Sequence, residues 1–107
     1  MNERPRFDLI YAPQVKGHVR AIERKYHPLI RRTVETQLQF EPDLETRNKK
    51  PLRRPSELGA EWEVRFGREN RFRVFYTVDP KERRVLVLAI GTKKRNRLVV
   101  GGEEVDL

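Results

Sequence analysis

The sequence predicts an α+β fold in which a small, mostly antiparallel β-sheet packs against an N-terminal helical hairpin, in the order β-α-α-β-β-β. Three observations carry that prediction. Apolar residues recur at helical spacing between residues 15 and 38, they alternate with polar residues between 62 and 78, and an unbroken apolar run extends from Val85 to Ile90. A chain of 107 residues has the size of one domain, so residues 1–107 are expected to share one core.

Each element has its own signal. Phe7, Leu9 and Tyr11 flank Asp8 and Ile10, which suits a short strand ended by Ala12-Pro13. Val15, Val19, Ile22 and Tyr26 form one helical stripe, closed at His27-Pro28, where proline is well placed to open a new helix. Ile30, Val34 and Leu38 form the second stripe, which ends at Phe40-Glu41-Pro42 and completes an αα-hairpin. Residues 41–59 hold Pro42, Pro51 and Pro55 among many charges and read as a long surface loop, a kind of segment often used for function. Trp62, Val64 and Phe66 then alternate with charges, as do Phe72, Val74, Tyr76 and Val78 with Arg71, Arg73 and Thr77, giving two half-buried strands. After a turn at Asp79-Pro80, VLVLAI lacks alternation and is expected to be a central strand. Gly101-Gly102 closes the last strand, ahead of an acidic tail, Glu103 to Leu107.

Lys and Arg number 24 against 16 Asp and Glu, a formal charge of +8. The excess is spread along the chain, with dense runs at Arg47 to Arg54 (RNKKPLRR) and Lys93 to Arg97 (KKRNR). Such a surface favours phosphate-rich or acidic partners, or serves only as a solvated exterior. The absence of cysteine excludes a disulfide framework, a thiolate metal site and a cysteine nucleophile. The apolar run is far shorter than the roughly 20 residues of a membrane span, and MNERPRFDLIYAP has no secretory core, so a soluble, cytoplasmic protein is expected. His18 and His27, without a carboxylate cluster, give no metal site.

The register of the 62–78 hairpin follows from its apolar face, because a one-residue slip would turn every side chain over. With a five-residue loop from Gly67 to Arg71, Phe66 pairs with Phe72, Val64 with Val74 and Trp62 with Tyr76. The same register sets Arg65 opposite Arg73 on the other face, and Glu63 opposite Phe75. Two facing cations repel by a few tenths of a kcal/mol unless an anion joins them. A phosphodiester suits two guanidinium forks, while splaying into solvent or pairing with Glu63 and Glu61 would relieve the same repulsion. Phe75 shares this face, where it would either pack or stack on a base.

The segments RNKKPLR, WEVRF, RFRVFYTVD and VLVLAIGTKKR, in this order, resemble the RelE/ParE superfamily of bacterial type II toxins. The resemblance covers nearly the whole chain. It implies a toxin that acts as a ribosome-dependent, metal-independent mRNA endoribonuclease, neutralised by a cognate antitoxin, with no small-molecule cofactor. By motif, Arg65 and Arg73 would hold the scissile phosphate, one of Lys93, Lys94 and Arg95 would serve the leaving 5′-oxygen, and Lys49, Lys50, Arg53, Arg95 and Arg97 would bind RNA. Glu63 stands where the family is usually basic and becomes the candidate general base. Leu98, Val99 and Val100 stand where its tyrosine is expected. A ParE-like inhibitor of DNA gyrase and a weakly toxic, antitoxin-binding member remain as alternatives.

Overall fold

The computed structural model describes residues 5–54, 56 and 59–105. Strand β1 (Asp8–Tyr11) leads into helix α1 (Val15–Arg20), a 3-10 turn at Arg24–Tyr26 and helix α2 (His27–Leu38). Six strands follow: β2 (Lys49–Pro51), β3 (Trp62–Phe66), β4 (Phe72–Asp79), β5 (Arg84–Lys94), β6 (Arg97–Val100) and β7 (Glu103–Val105). They form a sheet in the order β2-β3-β4-β5-β6-β7, antiparallel throughout, and β1 adds to β5 in parallel.

The α+β class and the antiparallel sheet are as expected, but the helical hairpin and the simple element order are not. Helix α1 stops at Arg20, so Ile22 and Tyr26 lie beyond it although both still pack on the core. A helix of six residues is far below the length at which helices hold themselves together, so α1 rests on its contacts with the sheet. The 3-10 turn completes the apolar stripe without continuing the helix, and the His27 ring meets the Ile22 carbonyl at 2.7 Å across the break. Pro28 then lies in the first turn of α2, where its missing N–H leaves no helical bond unmade.

Three strands, β2, β6 and β7, add to the expected order, two of them for the same reason. β2 (KKP) lies inside the proposed loop, and β7 (EEV) is cut from the proposed acidic tail; neither has enough apolar residues to show alternation. Pro55 of that loop, and Asp106 and Leu107 of that tail, lie outside the described residues. β6 pairs with both β5 and β7, so Gly101-Gly102 makes a hairpin turn and does not end the sheet.

α2 lays Ile30, Val34 and Leu38, each at most 3% exposed, on one face of the sheet. Each contributes about 1.5–3 kcal/mol by leaving water. They meet Val64, Phe72, Val74, Tyr76, Val85, Val87 and Ile90 in the main core. The Tyr76 hydroxyl donates to the Pro42 carbonyl at 2.7 Å, tying the end of the helical segment to β4.

β5 is central, as its unalternating sequence predicts. Its pairing with β4 shifts between Phe75↔Ala89 and Tyr76↔Val87, which leaves Leu88 as an extra, bulged residue. The bulge changes the phase, so Val85, Val87 and Ile90 all reach the main core. On the far edge of β5, β1 pairs up to Val87 and β6 from Gly91, and α1 fills the gap between them. Gln14 Nε2 donates to the Leu88 carbonyl at 3.3 Å, and the Ile90 N–H donates to His18 Nδ1 at 3.3 Å.

Candidate functional site

The face of the sheet away from α2 carries a row of charges. Pairing fixes it: Lys50 lies opposite Glu63, Arg65 opposite Arg73, and Arg73 opposite Gly91, two residues before Lys93. Strands alternate their side chains, so Lys50, Glu63, Arg65, Arg73 and Lys93 share one face. They cross four neighbouring strands, a span of about 15 Å at the usual strand spacing. Beside them Phe75, Ala89 and Val100 form a second, smaller apolar cluster with Ala60, joined by Leu52, Leu98 and Val105.

The Arg65/Arg73 opposition expected from the hairpin is present, and an anion joins the two. Glu63 Oε1 accepts from Arg65 Nε at 2.5 Å and Glu63 Oε2 accepts from Arg73 Nη1 at 3.4 Å. Arg73 Nε also donates to the Asn70 carbonyl at 3.1 Å, from a loop where Glu69 and Asn70 hold left-handed backbone at φ 57° and 53°. The side chains of Glu63 and Arg73 are 8% and 9% exposed, whereas that of Arg65 is 43% exposed. Burial lowers the pKa of Arg73, the neighbouring Glu63 opposes that shift and Arg65 adds to it. A guanidinium starts from so high a value that it keeps its proton in neutral water.

The other candidates divide by register. Lys93 is exposed on the site face. Lys94 pairs with Arg97, and alternation turns both to the opposite face, that of Phe72 and Thr92. Arg97 meets Glu104 at 3.6 Å there, and Arg95 sits in the β5–β6 turn with φ 58°. Lys50 reaches Glu45 at 3.4 Å from the site face. Lys49 pairs with Val64 and so faces the helices: its ammonium donates to the carbonyls of Gln37 (3.2 Å) and Glu41 (2.8 Å), just where α2 ends. Arg53 is exposed in the bend after β2.

Neither histidine lies on this face, since His18 packs under β5 and His27 opens α2. Where the tyrosine was expected, Leu98 and Val100 instead join the apolar cluster, and Phe75, 2% exposed, is packed there rather than open to a base. Sequence reasoning missed Asn70. The only trace of its role is its position in the loop ahead of Arg73, because the group that acts is a backbone carbonyl.

A family model, phage-derived protein Gp49-like (DUF891), matches residues 19–99. The chain belongs to the Gp49-like family. Among solved structures, a chain of the toxin–antitoxin complex RelBE2 from Mycobacterium tuberculosis is similar to this Gp49-like chain, with a TM-score of 0.68 and 19% identity over 87% of this chain and 98% of that one. At that identity the likeness is one of fold. No curated protein matches this chain. The RelE/ParE resemblance drawn from the strand motifs therefore holds for family and fold. No helix among the described residues is long and apolar enough to cross a membrane.

Proposed function

We propose that this Gp49-like protein is the toxin of a toxin–antitoxin pair, that it cuts mRNA on the ribosome, and that a cognate antitoxin holds it inactive in the cytoplasm. Membership of the family and the shared fold with a chain of RelBE2 support the toxin reading. The observation that carries the nuclease reading is the cationic row Lys50, Arg65, Arg73 and Lys93 on one sheet face. A row of about 15 Å suits two or three consecutive backbone phosphates, and counterion release on binding would add to affinity.

In this reading the 2′-hydroxyl attacks the adjacent phosphorus, the bond to the 5′-oxygen breaks, and a cyclic phosphate and a free 5′-hydroxyl result. Arg65 and Lys93 offset the charge that builds on the phosphoryl oxygens. Lys93 also supplies the proton to the leaving oxygen, since an arginine does not give up its own. Both carboxylate oxygens of Glu63 already accept from guanidinium groups, so the proton of the attacking hydroxyl passes to water. The antitoxin would lay an acidic segment over the same row.

Induction in growing cells tests this. Translation is expected to fall within minutes as mRNA is cut, and Lys93→Ala is expected to restore growth without lowering the amount of folded protein. Loss of DNA supercoiling while mRNA stays intact would replace this reading with gyrase inhibition.

A further inference from the structure

Glu63 is an acid at the centre of a face read as binding a polyanion, and its placement is specific. Its side chain is 8% exposed, and each oxygen takes one of the two arginines that face each other across β3 and β4. The two arginines are not equivalent. Arg73 is nearly buried and held twice, by Glu63 and by the Asn70 carbonyl. Arg65 is tied to Glu63 through Nε, and its side chain remains 43% exposed.

We infer that Glu63 is a positioning residue: with Arg73 as its buried support, it fixes the Arg65 guanidinium so that the outer edge of that group, carrying the two terminal nitrogens, receives one RNA phosphate. This rests on the nucleic-acid reading above and divides the labour within it. Arg65 is the phosphate contact, whereas Arg73 neutralises Glu63 and holds it in place. The reason is physical. A guanidinium has five N–H donors in a rigid fork, so engaging Nε on one side orients the remaining donors toward the other. An arginine left loose must be ordered when the ligand binds, whereas one already fixed has met that cost on folding.

The reading makes a prediction opposite in sign to simple electrostatics. Removing a negative charge beside a phosphate site should tighten binding if charge alone mattered; if Glu63 positions Arg65, removing it weakens binding. The probe is a short single-stranded RNA with 2′-O-methyl riboses, which cannot be cut, titrated onto the full chain at about 50 mM salt. Glu63→Gln is expected to weaken binding about five- to tenfold. In an Arg65→Ala background the same substitution is expected to change binding less than about twofold, because its effect runs through Arg65. Tighter or unchanged binding by Glu63→Gln, or an undiminished effect in the Arg65→Ala background, overturns the inference.

Should Glu63→Gln not fold, as judged by thermal melting, Arg65→Lys provides the readout. It keeps the charge but lacks the Nε that engages Glu63, so it is expected to lose most of the affinity that Arg65→Ala loses; wild-type affinity for Arg65→Lys overturns the proposal. Absence of RNA binding by the wild-type protein overturns the nucleic-acid reading and this inference with it. Wild-type binding with the wrong order of variants overturns this inference alone.

Discussion

The site face depends on close approach at one residue, Gly91. A Cβ built there would lie 2.8 Å from a Val100 methyl and 2.9 Å from the Val99 carbonyl, and the second is backbone that cannot swing aside. Since Gly91 is the neighbour of Arg73 in the pairing, moving β6 away would also disturb the cluster of Val100, Phe75 and Ala89 that borders the cationic row. Gly91→Ala is expected to destabilise the fold by about 1–3 kcal/mol, read as a lower thermal midpoint. Tyr76 is the contrasting case, in which the polar atom matters and the volume does not. Its ring is fully buried, and burial together with Asp43 raises its pKa, so the hydroxyl keeps its proton and donates to the Pro42 carbonyl. Tyr76→Phe preserves the packing but removes the donor to that carbonyl, and a loss of about 1–3 kcal/mol in urea unfolding is expected.

Among the elements, α1 is held by what its side chains supply to β5. The bulge at Leu88 and the division of the β5 edge between β1 and β6 leave the Ile90 N–H without a strand partner, and His18 accepts it. Only a ring nitrogen without a proton can accept, and burial lowers the pKa of His18 below its ordinary 6.5. The unfolded chain therefore takes up the proton first as pH falls. The stability from this group is complete above about pH 6.5 and is lost as pH drops through the lower, folded value. Wild-type urea midpoints should fall between pH 7.5 and pH 5.5 by more than those of His18→Gln, whose amide oxygen accepts without titrating; equal slopes would remove His18 from the account.

The same element shows where the sequence is legible. The 62–78 hairpin has one apolar face, so its register and the Arg65/Arg73 opposition follow from alternation, while the buried positions of α2 follow from helical spacing. The break after Arg20 does not, because the turn at Arg24–Tyr26 satisfies the same three- and four-residue spacing as a helix. Counting alternation from Gly91 separates Lys93 from Lys94 once the pairing of β4 with β5 is known. No pattern reveals that Glu63 bridges both arginines or that Lys49 turns to the end of α2, since these depend on how long side chains settle between neighbours.

For the whole molecule, the question is whether the +8 charge acts as a diffuse field or through the row on the sheet. The two differ in their salt dependence. Binding of a single strand loses about 0.7 in the log–log salt slope for each phosphate neutralised, so contacts from Lys50, Arg65 and Lys93 give a slope of about −2. A diffuse field would respond to any charge reversal. Lys93→Glu and Arg31→Glu change the net charge equally, but Lys93 is on the site face and Arg31 is exposed on α2, across the sheet. At about 0.1 M salt, exposed charges are screened beyond about 10 Å. Lys93→Glu is therefore expected to reduce the slope by about 0.7 or more and to weaken binding of the non-cleavable RNA at least about tenfold, while Arg31→Glu leaves the slope unchanged. Titrations of both variants between about 50 and 200 mM salt measure this, and equal losses from the two reversals would show that the net charge, and not the row, attracts the strand.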